Sequence, residues 1–444
     1  MVIKLVTSIT FYGGVNEVGG NKILVNDKDT NILLDFGASF TTRDKFYSTP
    51  FLSPKSGIDL VELGILPNLK GAYSFDDSMP EIDAVFLSHS HMDHSAHIAF
   101  LKREIPIYCG ETTARILHAL SDIHTANIEF DLRGIKYRTF RTGDRIKVGS
   151  IEIKPVHVDH SVPGSYGFIV YTPSATIVYT GDFRRHGLRP ELTEDFISES
   201  SSEHVDVAIC ENTNMTCVEL SSESEVMEKL NYIIGRTSGL VLTDFAYADI
   251  DRLRSFYEAA IKNNRQLVIS MRQAYILHRL GSDPHLNIPR LKDENILIFQ
   301  KEKKKYFKWE QEMLKVGETI RPYDVSKRQN GIVLSMSFFD LGWLIDIDPM
   351  PGSCYILSAS EPFNEEMEID FNRLLNWLEH YGLPQYHVHV SGHIMPLHLR
   401  EALKAINPKK IFPIHGDYPN LFSRFMRDLN SEIVVPEKGR KYEV

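Results

Sequence analysis

Cysteine is scarce in this chain. Four occur in 444 residues (Cys109, Cys210, Cys217 and Cys354), and no two are close enough to form a CxxC pair. That spacing excludes a thiolate zinc knuckle and a disulfide framework, and it fits a reducing, cytoplasmic compartment. Long apolar runs are missing too. No stretch approaches the ~18 uninterrupted apolar residues of a membrane span, and Met1–Gly14 lacks the apolar core of a signal peptide. Nor is there an excess of positive charge. Lys and Arg total 49 against 59 Asp and Glu, a net charge of −10, so overall attraction cannot be what holds a nucleic acid. A bound metal cluster or one local basic face could still hold phosphate. Apolar residues at 43% and charged residues at 24% exclude a disordered chain. At ~150 residues per domain, the length points to more than one domain.

Histidine is what the chain has in number, with 18, several in short strings. The first third reads as β-rich. Ile3–Phe11, Lys22–Val25 and Asn31–Asp35 are short apolar runs separated by Gly13-Gly14, Gly19-Gly20 and Asp27-Lys28-Asp29. Segment Ser39–Pro80, with four prolines and little periodicity, reads as a long loop or insertion. Four buried-type strands then each run into a polar cluster. Ala84–Leu87 leads to His89, His91, Asp93 and His94; Glu152–Val156 leads to His157, Asp159 and His160. Thr176–Tyr179 leads to Asp182, and Val205–Cys210 leads to Glu211. From Met215 to Pro362 helix and strand patterns alternate, as in a separate α/β unit. Asp249 is placed to cap a helix carrying Leu253, Phe256, Tyr257, Ala260 and Ile261 at helical spacing. Near the end, Val388–Val390 leads into His393 and Lys410–Ile414 into His415.

The string His89-x-His91-x-Asp93-His94 puts four metal-capable side chains in six residues. They converge only if the chain turns sharply after a strand. His160, Asp182 and His415 likewise follow apolar strands, so all gather where strand ends meet. A single histidine at a strand end is usually structural. Three such strand-end residues added to a four-ligand string favour a dinuclear site, with Asp182 as the bridging carboxylate. Imidazole and carboxylate donors without thiolate suit zinc first and manganese second.

These residues resemble the motif set of the metallo-β-lactamase-fold hydrolases at Asp35, His89, His91, Asp93, His94, His160 and Asp182. More narrowly, the chain resembles the β-CASP nucleases, and ribonuclease J with its archaeal relatives in particular. The further matches are Glu211 in Cys210-Glu211-Asn212-Thr213, His393 in Val390-Ser391-Gly392-His393, and His415 in Pro413-Ile414-His415-Gly416-Asp417. The opening Gly13-Gly14-Val15-Asn16-Glu17-Val18-Gly19-Gly20 is similar as well. The resemblance implies a four-layered αββα sandwich from 1–214 and 363–444, interrupted by a β-CASP domain over 215–362. It implies two Zn²⁺ (or Mn²⁺) ions in the cleft between them, through which a single strand would thread. His89, His91 and His160 would hold one ion, Asp93, His94 and His415 the other, and Asp182 would bridge them. Asp35 would brace the ligand loop. His393 would be the general acid that protonates the leaving ribose oxygen, oriented by Glu211. The implied activity is hydrolysis of single-stranded RNA, endonucleolytic or from the 5′ end, by a water activated between the two ions. A homodimer is compatible with it. Val444 lies 29 residues after His415, so no counterpart of the C-terminal domain of bacterial ribonuclease J is expected.

The rival readings are a metallo-hydrolase of a small ester or thioester, a DNA-directed β-CASP nuclease, and a non-catalytic RNA-processing scaffold. The Glu211–His393 pairing and the α/β insertion argue against the first, and the complete ligand set against the last. Gly392 and Gly416 would let backbone amides approach a phosphate. His97 and His186 read as surface or supporting residues, and His157 and Asp159 as structural. His387 and His389, on one strand face, read as core or substrate-lining. Arg184, Arg185, Arg252, Arg254 and Arg272 are candidates for a basic strip along the substrate path. The Lys303-Lys304-Lys305 run reads as a solvated face, with a substrate-backbone contact as the lesser reading.

Overall fold

The computed structural model describes residues 6–48, 51–124, 127–216, 220–360 and 365–444. The chain divides into two compact units, Met1–Val218 with Gly392–Val444, and Glu219–Ser391.

The first unit stacks two seven-stranded sheets. One runs in the order Lys441–Glu443, Ser8–Gly13, Lys22–Asp27, Thr30–Phe36, Ala84–Phe86, Ile107–Gly110, Tyr137–Phe140. The other runs Glu432–Ile433, Lys410–Ile414, Val207–Glu211, Thr176–Tyr179, Tyr166–Tyr171, Ile151–His157, Ile146–Val148. Ile9, Phe11, Ile23, Ile32 and Phe86 from one sheet meet Phe168, Ile177, Ile209 and Phe412 from the other in a solvent-free core. The outer face of the second sheet packs Ile169, Val178 and Ala208 against Phe196, Leu403 and Phe422 of flanking helices. On the first sheet's side, the helix Glu111–Ile123 buries Ile116, Leu117 and Leu120. The result is the αββα sandwich that the resemblance implies.

Parallel pairing sets the position of the polar clusters. Thr30–Phe36, Ala84–Phe86 and Ile107–Gly110 pair in parallel, as do Thr176–Tyr179, Val207–Glu211 and Lys410–Ile414. Their carboxyl ends fall on a common edge in each sheet, where binding sites of α/β proteins form.

The second unit is one fully parallel sheet, ordered Thr319–Ile320, Ile296–Phe299, Gln266–Ile269, Ile332–Ser335, Val241–Asp244, Cys354–Leu357, Gln385–His387. The helix Ile250–Lys262 covers it through Leu253, Phe256 and Ala260, and the side chain of Asp249 caps that helix by accepting from Arg252 N at 2.9 Å.

Three expectations change. The unit ends at Ser391 rather than Pro362, because the strand Gln385–His387 extends its own sheet and the helix Glu365–His380 packs Leu374 and Leu378 into its core. The expected end, Pro362, lies outside the described residues, as do Cys217 and the start of the Ile3–Phe11 strand. Met215 belongs to the core of the first unit. Val388–Val390 is not a strand, pairing ending one residue earlier at His387. Finally, Ser39–Pro80 is not a structureless loop. It contains the helices Phe40–Arg43 and Gly57–Glu62, the latter with a Ser56–Asp59 capping box, and it buries Leu60, Leu66 and Tyr73. Among the described residues, no helix is long and apolar enough to cross a membrane.

Candidate metal centre

The strand Ala84–Phe86 ends in the fully buried Leu87, and the chain then turns into a short helix, Met92–Ser95. The turn lets His89, His91, Asp93 and His94 face one spot. Two further constraints hold it. Asn21 N–H donates to the Asp93 carbonyl at 3.0 Å and Ala38 N–H to that of Met92 at 2.9 Å. Gly37 passes so close that a Cβ there would lie 1.7 Å from the Asp93 carbonyl oxygen, so only glycine fits.

Around Asp182 the donors close in from three other chain segments. Its Oδ2 lies 3.1 Å from His94 Nε2, 3.5 Å from His415 Nε2, 3.7 Å from His89 Nε2 and 3.9 Å from His160 Nε2. His415 Nε2 is also 3.1 Å from Asp93 Oδ2. Three overlapping groups emerge, His89–His91–His160–Asp182, Asp93–His94–His415 and Asp182–His393–His415, each with donor atoms within 4.8 Å of one another. His89, His94 and His415 are fully buried, and Asp182 nearly so.

Four histidines present the same nitrogen inward. The Nδ1 of His94 bonds Asp35 Oδ2 at 2.7 Å, that of His160 the Gly392 carbonyl at 2.6 Å, that of His89 Ser88 Oγ at 3.0 Å and that of His415 Thr213 Oγ1 at 3.0 Å. An acceptor on Nδ1, as Asp35 and the Gly392 carbonyl provide, fixes the tautomer that leaves the Nε2 lone pair facing Asp182. Among the described residues, buried His89 Nε2 and Asp182 Oδ1 have no hydrogen-bond partner. Unsatisfied polar atoms inside a protein cost ~1–3 kcal/mol each, so nitrogen and oxygen donors aimed at one another's centre fit a cation and little else.

The electrostatics agree for His89 and His160. Burial holds His89 and His160 well below the ordinary imidazole range, so both are neutral donors. Burial works against protonated His94 as well, but the carboxylates of Asp182, Asp93 and Asp35 outweigh it and raise its pKa. Asp182 is held well below the usual carboxylate range, where the surrounding histidines overcome its burial.

Asp35 sits beneath the cluster. It adopts a left-handed conformation at φ 57°, and its carboxylate accepts from Ser88 N (2.7 Å), Ser88 Oγ (2.7 Å) and Tyr179 Oη (2.6 Å) besides His94. His415 shares this sparsely populated conformation, at φ 55°. On the outer side stands His393. Its Nδ1 lies 2.9 Å from Glu211 Oε2 and 3.7 Å from Asp182 Oδ2. Glu211 Oε1 accepts the Phe183 N–H at 3.0 Å, which fixes the carboxylate. Burial disfavours the imidazolium of His393, yet Glu211 and Asp182 together raise its pKa to about 9.

The structure thus brings together all nine of Asp35, His89, His91, Asp93, His94, His160, Asp182, His393 and His415, with Glu211 behind them. Sequence reasoning missed the partners that aim them: Ser88, Tyr179, Thr213 and Asn214, whose Nδ2 donates to the His393 carbonyl at 2.7 Å. Three of these adjoin the motifs, at Ser88 and at Thr213-Asn214. Tyr179 carried no signal. Gly392 and Gly416 have a packing reason to be glycine, since a Cβ would press the His160 ring at 3.0 Å or Asn212 Oδ1 at 1.7 Å.

The basic strip is corrected. Arg184 is fully buried beside Asp159, and Arg252 fully buried against Glu223 at 3.2 Å. Arg185 pairs with Glu194 and Glu401, and Arg254 with Glu258. Among the described residues, Arg272 alone of the five is exposed without an ion-pair partner. His97 is buried beside Glu129, and His157 stacks on Tyr166.

A family profile described as a beta-lactamase superfamily domain matches residues 56–243. Ribonuclease J of Mycoplasma pneumoniae is 26% identical over 438 residues, covering 94% of this chain and 68% of that protein. Ribonuclease J of Thermus thermophilus is 27% identical over 428 residues, covering 91% and 67%. A solved structure of a protein of unknown function from Enterococcus faecalis V583 superposes with a TM-score of 0.80 at 23% identity, covering 99% of this chain and 100% of that one. The chain therefore shares its fold with a solved protein and is ribonuclease J-like over more than nine-tenths of its length.

Proposed function

We propose that this ribonuclease J-like chain of metallo-β-lactamase fold hydrolyses phosphodiester bonds of single-stranded RNA at two metal ions, zinc in the first place and manganese in the second. His89, His91 and His160 would hold one ion, Asp93, His94 and His415 the other, and Asp182 would reach both. When bound, such ions supply Lewis acidity toward water and toward the oxygens of the reacting phosphate. The second unit, 219–391, would be the β-CASP domain.

The chain's own residues supply the rest. Asp35, Ser88, the Gly392 carbonyl and Thr213 hold four imidazoles with Nε2 turned inward. Glu211 accepts from His393 Nδ1, which leaves His393 Nε2 to deliver a proton to the leaving ribose oxygen. The observation that carries the reading is this Glu211–His393 pair, 3.7 Å from the shared carboxylate of a buried donor cluster. A small-ester hydrolase has no need of it, and a scaffold would not keep every donor.

The test is incubation of the purified chain with 5′-labelled single-stranded RNA and DNA, with and without chelator. RNA should be cleaved, chelator should stop cleavage, and added zinc or manganese should restore it. Intact RNA with metal-replete protein, or cleavage that survives chelation, would overturn the reading.

A further inference from the structure

We propose that the strap Lys301–Lys308 of the second unit is a docking strip for single-stranded nucleic acid, with phosphates on Lys304, Lys305 and Lys308 and one base stacked on Phe307. Only the choice of polymer rests on the nuclease reading; the strip itself is read from its own residues.

The strap leaves the carboxyl end of the strand Ile296–Phe299, the edge of a parallel sheet where ligands bind. Five of its eight residues are lysine and one is acidic, in a protein of net charge −10. Lys301 pairs with Asp340 and Lys303 with Glu310. Lys304, Lys305 and Lys308 are exposed and, among the described residues, have no ion-pair partner. Arg321 joins them. It follows the neighbouring strand Thr319–Ile320, tied to the strap's root by Gln300 N–H donating to the Ile320 carbonyl at 2.8 Å, and it too is exposed and, among the described residues, without an ion-pair partner.

The strap is built rather than loose. Tyr306 Oη donates to the Lys301 carbonyl at 2.7 Å, and Gln311 Nε2 to the Tyr306 carbonyl at 2.9 Å. Phe307 N–H donates to Glu310 Oε2 at 2.8 Å, fixing the start of the helix Lys308–Val316. Tyr306 is thereby pinned at its hydroxyl, while Phe307 is held out with 61% of its surface in water. The Lys303 ammonium lies 5.6 Å from the Phe307 ring centroid and 5.5 Å from that of Tyr306. A rigid exposed ring among unpaired cations suits a strand that offers both phosphates and aromatic bases. An acidic peptide would satisfy the lysines but leave the ring without a partner.

The experiment uses the metal-replete full chain and a labelled 2′-O-methyl uridine 20-mer, which resists cleavage, with anisotropy read across a salt series. At ~0.7 per phosphate for single strands, Lys304, Lys305, Lys308 and Arg321 correspond to a log–log slope of about 3. The triple variant Lys304→Ala, Lys305→Ala, Lys308→Ala should lower that slope by about 2 and weaken binding about 100-fold at 0.1 M salt. Phe307→Ala should weaken binding about tenfold with the slope unchanged, and Phe307→Trp should retain it. Thymidine 20-mer should behave like the RNA probe, because neither contact reads the 2′ position. Wild-type affinity in the triple and Phe307→Ala variants, or polyglutamate competing as well as the oligonucleotide per unit charge, would overturn the proposal. Strap-dependent binding in a protein that never cleaves RNA would sustain the strip and overturn the nuclease reading. Metal-dependent cleavage with strap-independent binding would do the reverse.

Discussion

Replacing Glu211 with Gln removes one charge and almost no volume. The side chain is 1% exposed, and both oxygens are committed. Oε1 accepts the Phe183 N–H at 3.0 Å and Oε2 accepts from His393 Nδ1 at 2.9 Å. A carboxamide has only one acceptor oxygen. If it keeps the Phe183 amide, its NH2 faces the Nδ1 proton of His393; if it flips, its NH2 faces the amide. Either way one buried donor loses its acceptor. A hydrogen bond to a charged group is worth ~1.5–3 kcal/mol, which at 1.36 kcal/mol per decade is a rate loss of ~10–150-fold. His393→Ala should lose ~10²–10⁴-fold, the usual share of general acid catalysis. Because Glu211 acts through His393, the double variant should be no slower than His393→Ala alone. Single-turnover cleavage of labelled RNA gives the rates, and elemental analysis should show unchanged metal in all three proteins. A Glu211→Gln rate within twofold of wild type, additive losses in the double variant, or a missing metal ion would refute the reasoning.

Fully loaded protein should contain two transition-metal ions per chain, and Asp182→Ala should lower occupancy at both; one ion or fewer in the wild type sinks the dinuclear centre. Glu223→Ala should cost ~3–5 kcal/mol in urea unfolding, because it strands the fully buried Arg252 guanidinium; a loss below ~1 kcal/mol would mean that Arg252 finds water. Burial pushes the Asp244 carboxyl up to about 7. At this site the folded state binds more protons than the unfolded one between pH 4 and 7, so the contribution of Asp244 to stability falls as pH rises through that window. Asp244→Asn should abolish that fall, and parallel stability curves for the two proteins would show Asp244 to be ordinary.

The candidate centre was legible in the sequence because its donors are short-range in the chain or tied to strand ends. His89, His91, Asp93 and His94 announce themselves by spacing, and a parallel strand delivers whatever follows it to one edge. The periodicity of Leu253, Phe256 and Ala260 likewise marked a helix and its buried face, though Ile261 at the same spacing proved 38% exposed.

What the sequence alone determined is therefore chemical: a thiolate-free set of nitrogen and oxygen donors, a carboxylate–imidazole pair, and an alternating α/β insertion. What only the tertiary structure decided is who faces whom. That Arg184 and Arg252 lie inside, that Tyr179 holds Asp35 from 144 residues away, and that the insertion runs to Ser391 all depend on contacts between distant segments. An arginine reads the same in a sequence whether its charge meets water or a buried carboxylate. Only the packing around it, which no local pattern encodes, settles which of the two balances its desolvation.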